Sequence, residues 1–297
     1  SLIYSSQTYR MILQFIINGL ITGLLYSLFA IGFSLVYNTT RIFHSAAAAL
    51  YVIAAYGFYF FAHVMSFPIG LAFILAVCFT IYSSLLLELT VYYPFKIKKA
   101  SLNVVMIASI GVMTILVNTI SLCFGNETRV IDNTIQNAFT FGAVTITAPQ
   151  IYQAVVGFIA LALFVFFIRG TRLGIEIKAL SSDEVLFEIL GYCTKRMRQF
   201  VFLLSGLFIA LASCLTVYDT GLDPHMGMNV LVSAMVAMII GGIGNFSACI
   251  LGGLLLGILQ SLSVYFFTSN WQNAITFIVL LLFLFLRPQG IAGYKQR

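Results

Sequence analysis

The sequence predicts an all-α polytopic membrane protein with about eight or nine transmembrane helices, an external N-terminus and a cytoplasmic C-terminus. The first observation is composition: 61% of the 297 residues are hydrophobic and 8% are charged, whereas soluble domains carry about 25% charged residues. The second is that apolar segments run along the whole chain, which a signal peptide does not explain. The third is the uneven placement of lysine and arginine. Together they predict a surface that mostly faces lipid.

Nine segments are candidates for crossing a bilayer, because each approaches the ~20 apolar residues that a spanning helix needs. In chain order they are 11–37, 46–64, 69–92, 102–124, 149–168, 199–218, 228–243, 248–267 and 271–286. Two of them, 228–243 and 271–286, are short. A short apolar segment is also compatible with a broken or re-entrant helix, so length alone predicts eight or nine crossings.

The basic residues decide between these counts. With nine crossings and an external N-terminus, 13 of the 15 lysines and arginines fall on the cytoplasmic side, and only Arg10 and Arg129 lie outside. If 228–243 did not cross, the C-terminal Arg287, Lys295 and Arg297 would move outside. Basic residues are retained on the cytoplasmic side, so nine crossings are preferred. The net charge of +6 is interpreted as this topology signal, and the expected surroundings are membrane lipid and not nucleic acid.

The whole chain, 1–297, is expected to form a single transmembrane domain with two long loops. Residues 125–148 form the external loop, and residues 169–198 form the cytoplasmic loop. Gly253 and Gly257 form a GxxxG pattern, which lets helix backbones approach closely. We expect it to serve packing inside the protein and not a dimer contact. The five cysteines are far apart, which favours small core residues over a redox or metal role.

A charged segment, 171–198, interrupts the apolar sequence with nine charged residues in 28 positions. Ser181 and Glu184 have the spacing of a capping box, with Ser181 as the N-cap. The spacing of Leu186, Ile189 and Leu190 predicts one apolar helix face. Gly191 has the position of a C-terminal stop. The pattern predicts a short amphipathic helix of about two and a half turns.

Two hypotheses account for this helix. It could lie among lipid headgroups, as amphipathic surface helices do, or it could offer its apolar face to a groove on a cytosolic protein. Residues 182–190 include Asp183, Glu184 and Glu188 and no lysine or arginine. Anionic lipid would repel that charge, so the sequence favours a protein partner.

No enzyme motif occurs in the chain. The sequence contains no GxxxxGK[ST] nucleotide-binding loop and no HExxH pair, so we expect no ATP site, no catalytic residue, no cofactor and no metal site here. The histidines, His44, His63 and His225, are widely separated, and we expect them near helix ends.

Polar residues inside apolar helices can line a solute path, although most of them make hydrogen bonds between helices. On the first and fourth helices these residues are Asn18, Thr22, Ser27, Ser34, Ser109, Thr114 and Asn118. Glu88 is the one carboxylate well inside a proposed span. It lies close to Lys96, Lys98 and Lys99 in the sequence, so we expect it to pair with them or to reach the interface.

Five stretches together resemble the permease subunits of branched-chain amino-acid ABC transporters. They occur in the family's order: NGLITGLLYSLFAIGFSLVY at 18–37, ELTVYYPFK at 88–96, the segment TRLGIEIKALSSDEVLFEILGYCTKR at 171–196, GGIGNFSACILGGLLLGILQSL at 241–262, and RPQGIAG at 287–293. The third is similar to the family's cytoplasmic coupling loop. The fifth is similar to its Pro-x-Gly-Ile C-terminal signature. The resemblance covers nearly the whole chain.

The resemblance implies an importer in the bacterial inner (cytoplasmic) membrane. Two permease subunits, copies or paralogues, would form the pore between them. Two cytosolic ATPases would grip the coupling loops, and an external solute-binding protein would deliver the solute. The coupling helix then corresponds to Ser181, Ser182, Asp183, Glu184, Leu186, Glu188, Leu190 and Gly191. The candidate translocation-path residues are Asn18, Thr22, His44, Ser45 and Asn118.

One stretch departs from the family pattern. Members usually have Asn-Phe-Ala-His-Gly-Glu before a Tyr-x-x-Gly-Ala-Tyr sequence, whereas this chain has HSAAAA at 44–49 before YVIAAY. Alanines replace the histidine, glycine and glutamate of the pattern. The substrate is therefore expected to be a branched-chain amino acid, another amino acid or a small amide.

Two other classes of protein were weighed against the ABC importer permease. A stand-alone secondary transporter needs titratable or sodium-binding groups near the bilayer midplane, and Glu88 lies off-centre in its span. A purely structural membrane scaffold would not need the capped acidic helix. The sequence therefore favours the importer subunit, with the secondary transporter as its alternative.

Overall fold

The computed structural model describes residues 2–131, 138–141, 144–268, 271–287 and 289–291. In these ranges twelve α-helices are connected mostly by short turns. The helices are α1 Leu2–Thr40, α2 Ala46–Tyr59, α3 Ile69–Leu87, α4 Tyr93–Ile97, α5 Leu102–Phe124, α6 Ala148–Gly170, α7 Arg172–Ser182, α8 Glu184–Ile189, α9 Thr194–Thr220, α10 Met226–Gly241, α11 Ala248–Phe266 and α12 Gln272–Leu286. Two π-helical turns, Phe60–Val64 and Glu88–Tyr92, continue α2 and α3.

Seven helices of the described chain are long and apolar enough to span a membrane: Arg10–Thr40, Ala46–Val64, Ile69–Ile97, Leu102–Phe124, Ala148–Gly170, Thr194–Thr220 and Ala248–Phe266. They match seven of the nine predicted segments. The other two form the shorter apolar helices α10 and α12. At 16 and 15 residues, they are about 24 and 22 Å long, less than the ~30 Å hydrocarbon core.

Helix α1 lies at the centre of the bundle, packed along α11 and α9. Its contact with α11 is close because glycines face each other. A Cβ atom at Gly257 would overlap the backbone of Gly23, and one at Gly253 would overlap Ser27. The GxxxG pattern therefore serves packing within the subunit, as the sequence predicted.

The bundle has two ends that are distinguished by their contacts. At one end the start of α1 meets a β-hairpin, where Gln14 Nε2 donates to the Thr145 carbonyl over 2.8 Å. The backbone of Arg129 also pairs there with Leu222. We call this the hairpin end. At the other end, the α8 end, Arg41 donates to the Ser181 carbonyl over 3.1 Å.

The described residues agree with the predicted all-α class, apart from one small β-hairpin that the sequence analysis did not predict. Strands β1 Ala138–Phe141 and β2 Val144–Thr147 pair antiparallel inside the segment expected to be an external loop. Residues 132–137 and 142–143 of that loop lie outside the described residues. The sequence does contain a signal for these strands, namely the local run of threonine, valine, isoleucine and phenylalanine, which are residue types that favour strands. The predicted C-terminal signature, 287–293, lies partly outside the described residues. Lys295 and Arg297 lie outside them entirely.

Candidate coupling site and solute cavities

The charged segment forms two consecutive helices, and α8 begins later than the sequence predicted. Helix α7 starts after Thr171, whose hydroxyl accepts from the Gly174 N–H over 3.1 Å. Helix α8 starts after Asp183, whose Oδ1 accepts from the Val185 and Leu186 N–H groups over 2.9 and 3.0 Å. Asp183 is therefore the N-cap, and the prediction of Ser181 in that role was wrong. The helix has six residues, fewer than expected.

The reason for this correction is that α7 extends through the predicted cap. Ser181 and Ser182 occupy its last turn, where both hydroxyls donate to the Lys178 carbonyl. Aspartate is as strong an N-cap as serine, so Asp183 initiates α8 once the serines are in α7. At the other end Gly191 adopts a φ of 86°. This left-handed conformation favours glycine and confirms the predicted stop.

Helix α8 exposes most of its apolar side chains. Phe187 faces inwards, is 2% exposed and stacks on Tyr192 with 4.9 Å between ring centroids. Leu186, Ile189 and Leu190 are 53%, 75% and 65% exposed. A short capped helix at the α8 end therefore presents a contiguous apolar face of the kind that docks in a protein groove.

The acidic side of α8 converges on a lysine of another helix. Glu184 forms an ion pair with the Lys96 ammonium of α4, and Glu188 Oε1 lies 3.9 Å from the same nitrogen. The sequence instead suggested Lys96 as a partner of Glu88. In the structure Glu88 accepts from Arg198 Nε over 2.8 Å and from its Nη2 over 3.2 Å. Both side chains of that pair are buried, so Glu88 does not reach the interface.

The five candidate path residues lie in three places. Asn18 and Thr22 line a cavity of about 280 Å³ between α1, α6, α9, α11 and α12. Its other polar lining residues are Tyr26, Gln150, Gln153, Asp219, Gln260, Ser261 and Gln272. Gln150 is in the first turn of α6 and Asp219 in the last turn of α9, so the cavity lies towards the hairpin end. We call it the amide cavity.

Asn118 lines a second cavity, of about 290 Å³, between α2, α5 and the start of α10. Ala48 and Val52 form its α2 side, and Pro224 and His225 lie at its edge. The Asn118 amide nitrogen donates to the Thr114 carbonyl of its own helix over 2.8 Å. We call this space the α2–α5 cavity.

His44 and Ser45 line neither cavity. Both are buried between α1 and α2, outside the helices long enough to span a membrane. Burial lowers the pKa of His44 to about 3, so its imidazole is neutral at physiological pH. Its Nδ1 is 2.7 Å from the Tyr92 hydroxyl. Among the described residues, His44 Nε2 and Ser45 Oγ lack a hydrogen-bond partner.

Sequence reasoning missed Tyr92, Arg198 and the true partner of Lys96. All three lie in or beside stretches that the sequence had singled out, namely 88–96 and 171–198. What it could not supply was the pairing between those stretches, because Glu88 and Arg198 are 110 positions apart.

The fold and the site define a multi-pass membrane protein that has a polar cavity towards one end and an exposed amphipathic helix at the other. A family model described as "Branched-chain amino acid transport system / permease component" matches residues 15–284. The chain belongs to this family and is a permease component of it.

Individual relatives agree with this assignment. The chain is 26% identical to the high-affinity branched-chain amino acid transport system permease protein LivH of Escherichia coli K12, over 98% of both chains. It is 28% identical to the corresponding protein BraD of Pseudomonas aeruginosa, over 96% of both. The ribose import permease protein RbsC of Escherichia coli K12 is 26% identical over 58% of this chain and 56% of its own.

A solved structure shares the fold. A chain of PsaBC from Streptococcus pneumoniae, determined in complex with a Fab, superposes with a TM-score of 0.50 over 92% of this chain and 91% of its own. The sequence identity is 16%, so this likeness concerns the helix arrangement alone.

Proposed function

We propose that this permease works in the bacterial inner membrane with a second permease subunit, a copy or a paralogue. Two cytosolic ATPases and an external solute-binding protein complete the importer. The solute is a branched-chain amino acid or a close relative, the class named for LivH and BraD. The apolar helices and the family membership support this assignment.

The exposed apolar face of α8 is the single observation behind the coupling role. Leu186, Ile189 and Leu190 present this face next to a structured α7 and a glycine stop. Burying such side chains in a partner groove is favourable by about 25 cal/mol per Å² of apolar surface. The coupling site comprises Ser181, Ser182, Asp183, Glu184, Leu186, Glu188, Leu190 and Gly191. Asp183 begins the helix, and the apolar residues contact the ATPase.

The proposed topology has nine crossings, an external N-terminus and a cytoplasmic C-terminus, with 1–297 as one transmembrane domain. It assigns the hairpin end, with loop 125–148, to the outside and the α8 end, with loop 169–198, to the cytoplasm. The placement of basic residues supports it. It also positions α8 where cytosolic ATPases can bind.

The solute path in this proposal runs past the polar side chains of the external half. Asn18 and Thr22 contribute from the amide cavity, and Asn118 contributes from the α2–α5 cavity. Amide and hydroxyl groups can exchange hydrogen bonds with the charged ends of an amino acid as it loses water. His44 and Ser45 are enclosed and line neither cavity. In this proposal they support the wall of the path and do not touch the solute.

The test is uptake by vesicles that contain the complete importer. Wild-type vesicles are expected to accumulate radiolabelled leucine, isoleucine or valine only when ATP and the ATPase subunits are present. Ile189→Asp is expected to abolish uptake and to release the ATPase on purification, because a carboxylate disrupts the apolar contact. Ile243→Asp is the matched control, since Ile243 is exposed in the turn after α10.

Two outcomes contradict the proposal. Uptake by the permease without ATP or partners would favour a secondary transporter coupled to an ion gradient. Retention of the ATPase by Ile189→Asp would remove α8 from the docking site. Competition by unlabelled amino acids and small amides in the same assay then defines the solute class.

A further inference from the structure

Residues 88–97 comprise the π-helical turn Glu88–Tyr92 and helix α4. They contact both the charged segment, 171–198, and the interior of the bundle. We call these residues the relay segment. π-Helical turns are rare and occur often at functional sites, because the extra residue distorts the regular hydrogen-bond ladder. This turn lies where α3 ends and α4 begins, at the α8 end of the molecule.

Three contacts tie the relay segment to the helices of the charged segment. Lys96 pairs with Glu184 of α8 and lies 3.9 Å from Glu188. Lys195, in the first turn of α9, lies 4.8 Å from the ring centroid of Tyr93 in a cation–π contact. The third contact is the buried pair of Glu88 and Arg198, also on α9. A displacement of α8 therefore acts on the relay segment directly and through α9.

Tyr92 connects the relay segment to the junction of α2 and α5. Its side chain is 1% exposed. The hydroxyl lies 2.7 Å from His44 Nδ1 and 2.8 Å from the Ser109 hydroxyl of α5. Ser109 Oγ in turn accepts from the Ala46 N–H, the first residue of α2, over 3.0 Å. One hydroxyl group thus joins the loop before α2 to α5, and these two helices line the α2–α5 cavity.

We propose that the relay segment transmits the movement of the docked α8 to the α2–α5 junction, with Tyr92 as the positioning residue. This inference rests on the proposed docking of an ATPase on α8. Packed interiors switch between discrete arrangements and do not deform continuously. A chain of contacts that begins at the half-exposed Lys96 and continues through the buried Tyr92 and Ser109 to Ala46 therefore couples α8 to the width of the α2–α5 cavity.

The test measures solute transported per ATP hydrolysed by the complete importer in vesicles. Tyr92→Phe keeps the ring and removes the hydroxyl, and Ser109→Ala breaks the same connection from α5. Each is expected to lower the ratio between about 2-fold and 30-fold, the range found for residues that carry coupling. Tyr82→Phe is the matched control, because Tyr82 is an exposed tyrosine on α3.

A double-mutant cycle separates transmission from simple bracing. Lys96→Met is expected to lower the ratio in the wild-type chain and to have no further effect in Tyr92→Phe, because the two act in series. Fold reductions that multiply in the double variant would overturn the relay, as would an unchanged ratio in both Tyr92→Phe and Ser109→Ala. Failure of docking on α8 looks different, since Ile189→Asp would then retain the ATPase.

Discussion

At the scale of single residues, Glu88 and Arg198 place two paired charges in the interior of the bundle. Their side chains are 1% and 3% exposed, so neither charge is compensated by water. Two hydrogen bonds in a bidentate arrangement offset part of the desolvation cost. A pair of this kind adds little net stability, but each partner depends strongly on the other.

Arg198→Met is expected to destabilise the protein by about 3–5 kcal/mol, because it leaves the Glu88 carboxylate buried and unpaired. The double variant Glu88→Leu with Arg198→Met is expected to recover most of that loss. Thermal unfolding in detergent is the measurement. Lys96→Met is the control, since its half-exposed ion pair contributes at most about 1 kcal/mol. Equal losses in the single and double variants would contradict the pair's interdependence.

At the scale of elements, α7 and α8 show how one helix determines where the next begins. Ser181 and Asp183 both lie near the point where α7 ends and α8 begins, and both residue types can act as an N-cap. Helix α7 continues through Ser182, so the serines satisfy carbonyls of their own helix and Asp183 caps α8. The short helix is then held by its cap, the Gly191 turn and the buried Phe187.

Asp183→Ala is expected to weaken α8 by about 1 kcal/mol, the usual value of an N-cap side chain. Hydrogen exchange of the Val185 and Leu186 amides should then become about fivefold faster, because these N–H groups donate to the Asp183 carboxylate. Ser181→Ala is the matched control and should leave both rates unchanged. The opposite pattern, with faster exchange in Ser181→Ala alone, would restore Ser181 as the cap.

At the scale of the whole molecule, the two candidate sites lie towards opposite ends of the bundle. The amide cavity lies towards the hairpin end, and α8 lies at the opposite end. The long helices between them are joined by glycine contacts such as Gly23 with Gly257. This separation fits the proposed importer, in which the solute enters at the hairpin end and the ATPase binds at the α8 end.

The proposed orientation is tested with a membrane-impermeant maleimide on intact spheroplasts. A variant that has Asn126→Cys in the loop after α5, with the exposed native cysteines replaced, is expected to react from outside. A variant that retains Cys193 alone among the exposed cysteines should react only after the membrane is opened. The buried Cys214 and Cys249 can remain in both. External labelling of Cys193 would reverse the topology.

Much of the fold could be predicted because the relevant signals are local. Runs of apolar residues predicted the seven long helices, and Gly191 predicted the end of α8. The paired strands Ala138–Phe141 and Val144–Thr147 were missed although their residue types were visible, because the loop was defined only by the helices on either side of it. The partner of Glu88 was missed for a different reason: three lysines are near in sequence, but Arg198 is near in space.

The sequence by itself determined the membrane-protein class, the helical segments, the family and the presence of a charged helix in a long loop. The class and the helical segments follow from composition, hydrophobic length and capping residues, which act within a few positions. The family follows from the five stretches that resemble its members and from the family model that matches residues 15–284. Only the tertiary structure decided that Asp183 and not Ser181 caps α8, which cations pair with Glu88 and Glu184, and how His44, Tyr92 and Ser109 meet. Such choices depend on side chains that are distant in the chain, as with Glu88 and Arg198, 110 positions apart. Packing of the helices brings these two together, because a charge that is buried away from water is costly unless an opposite charge pairs with it.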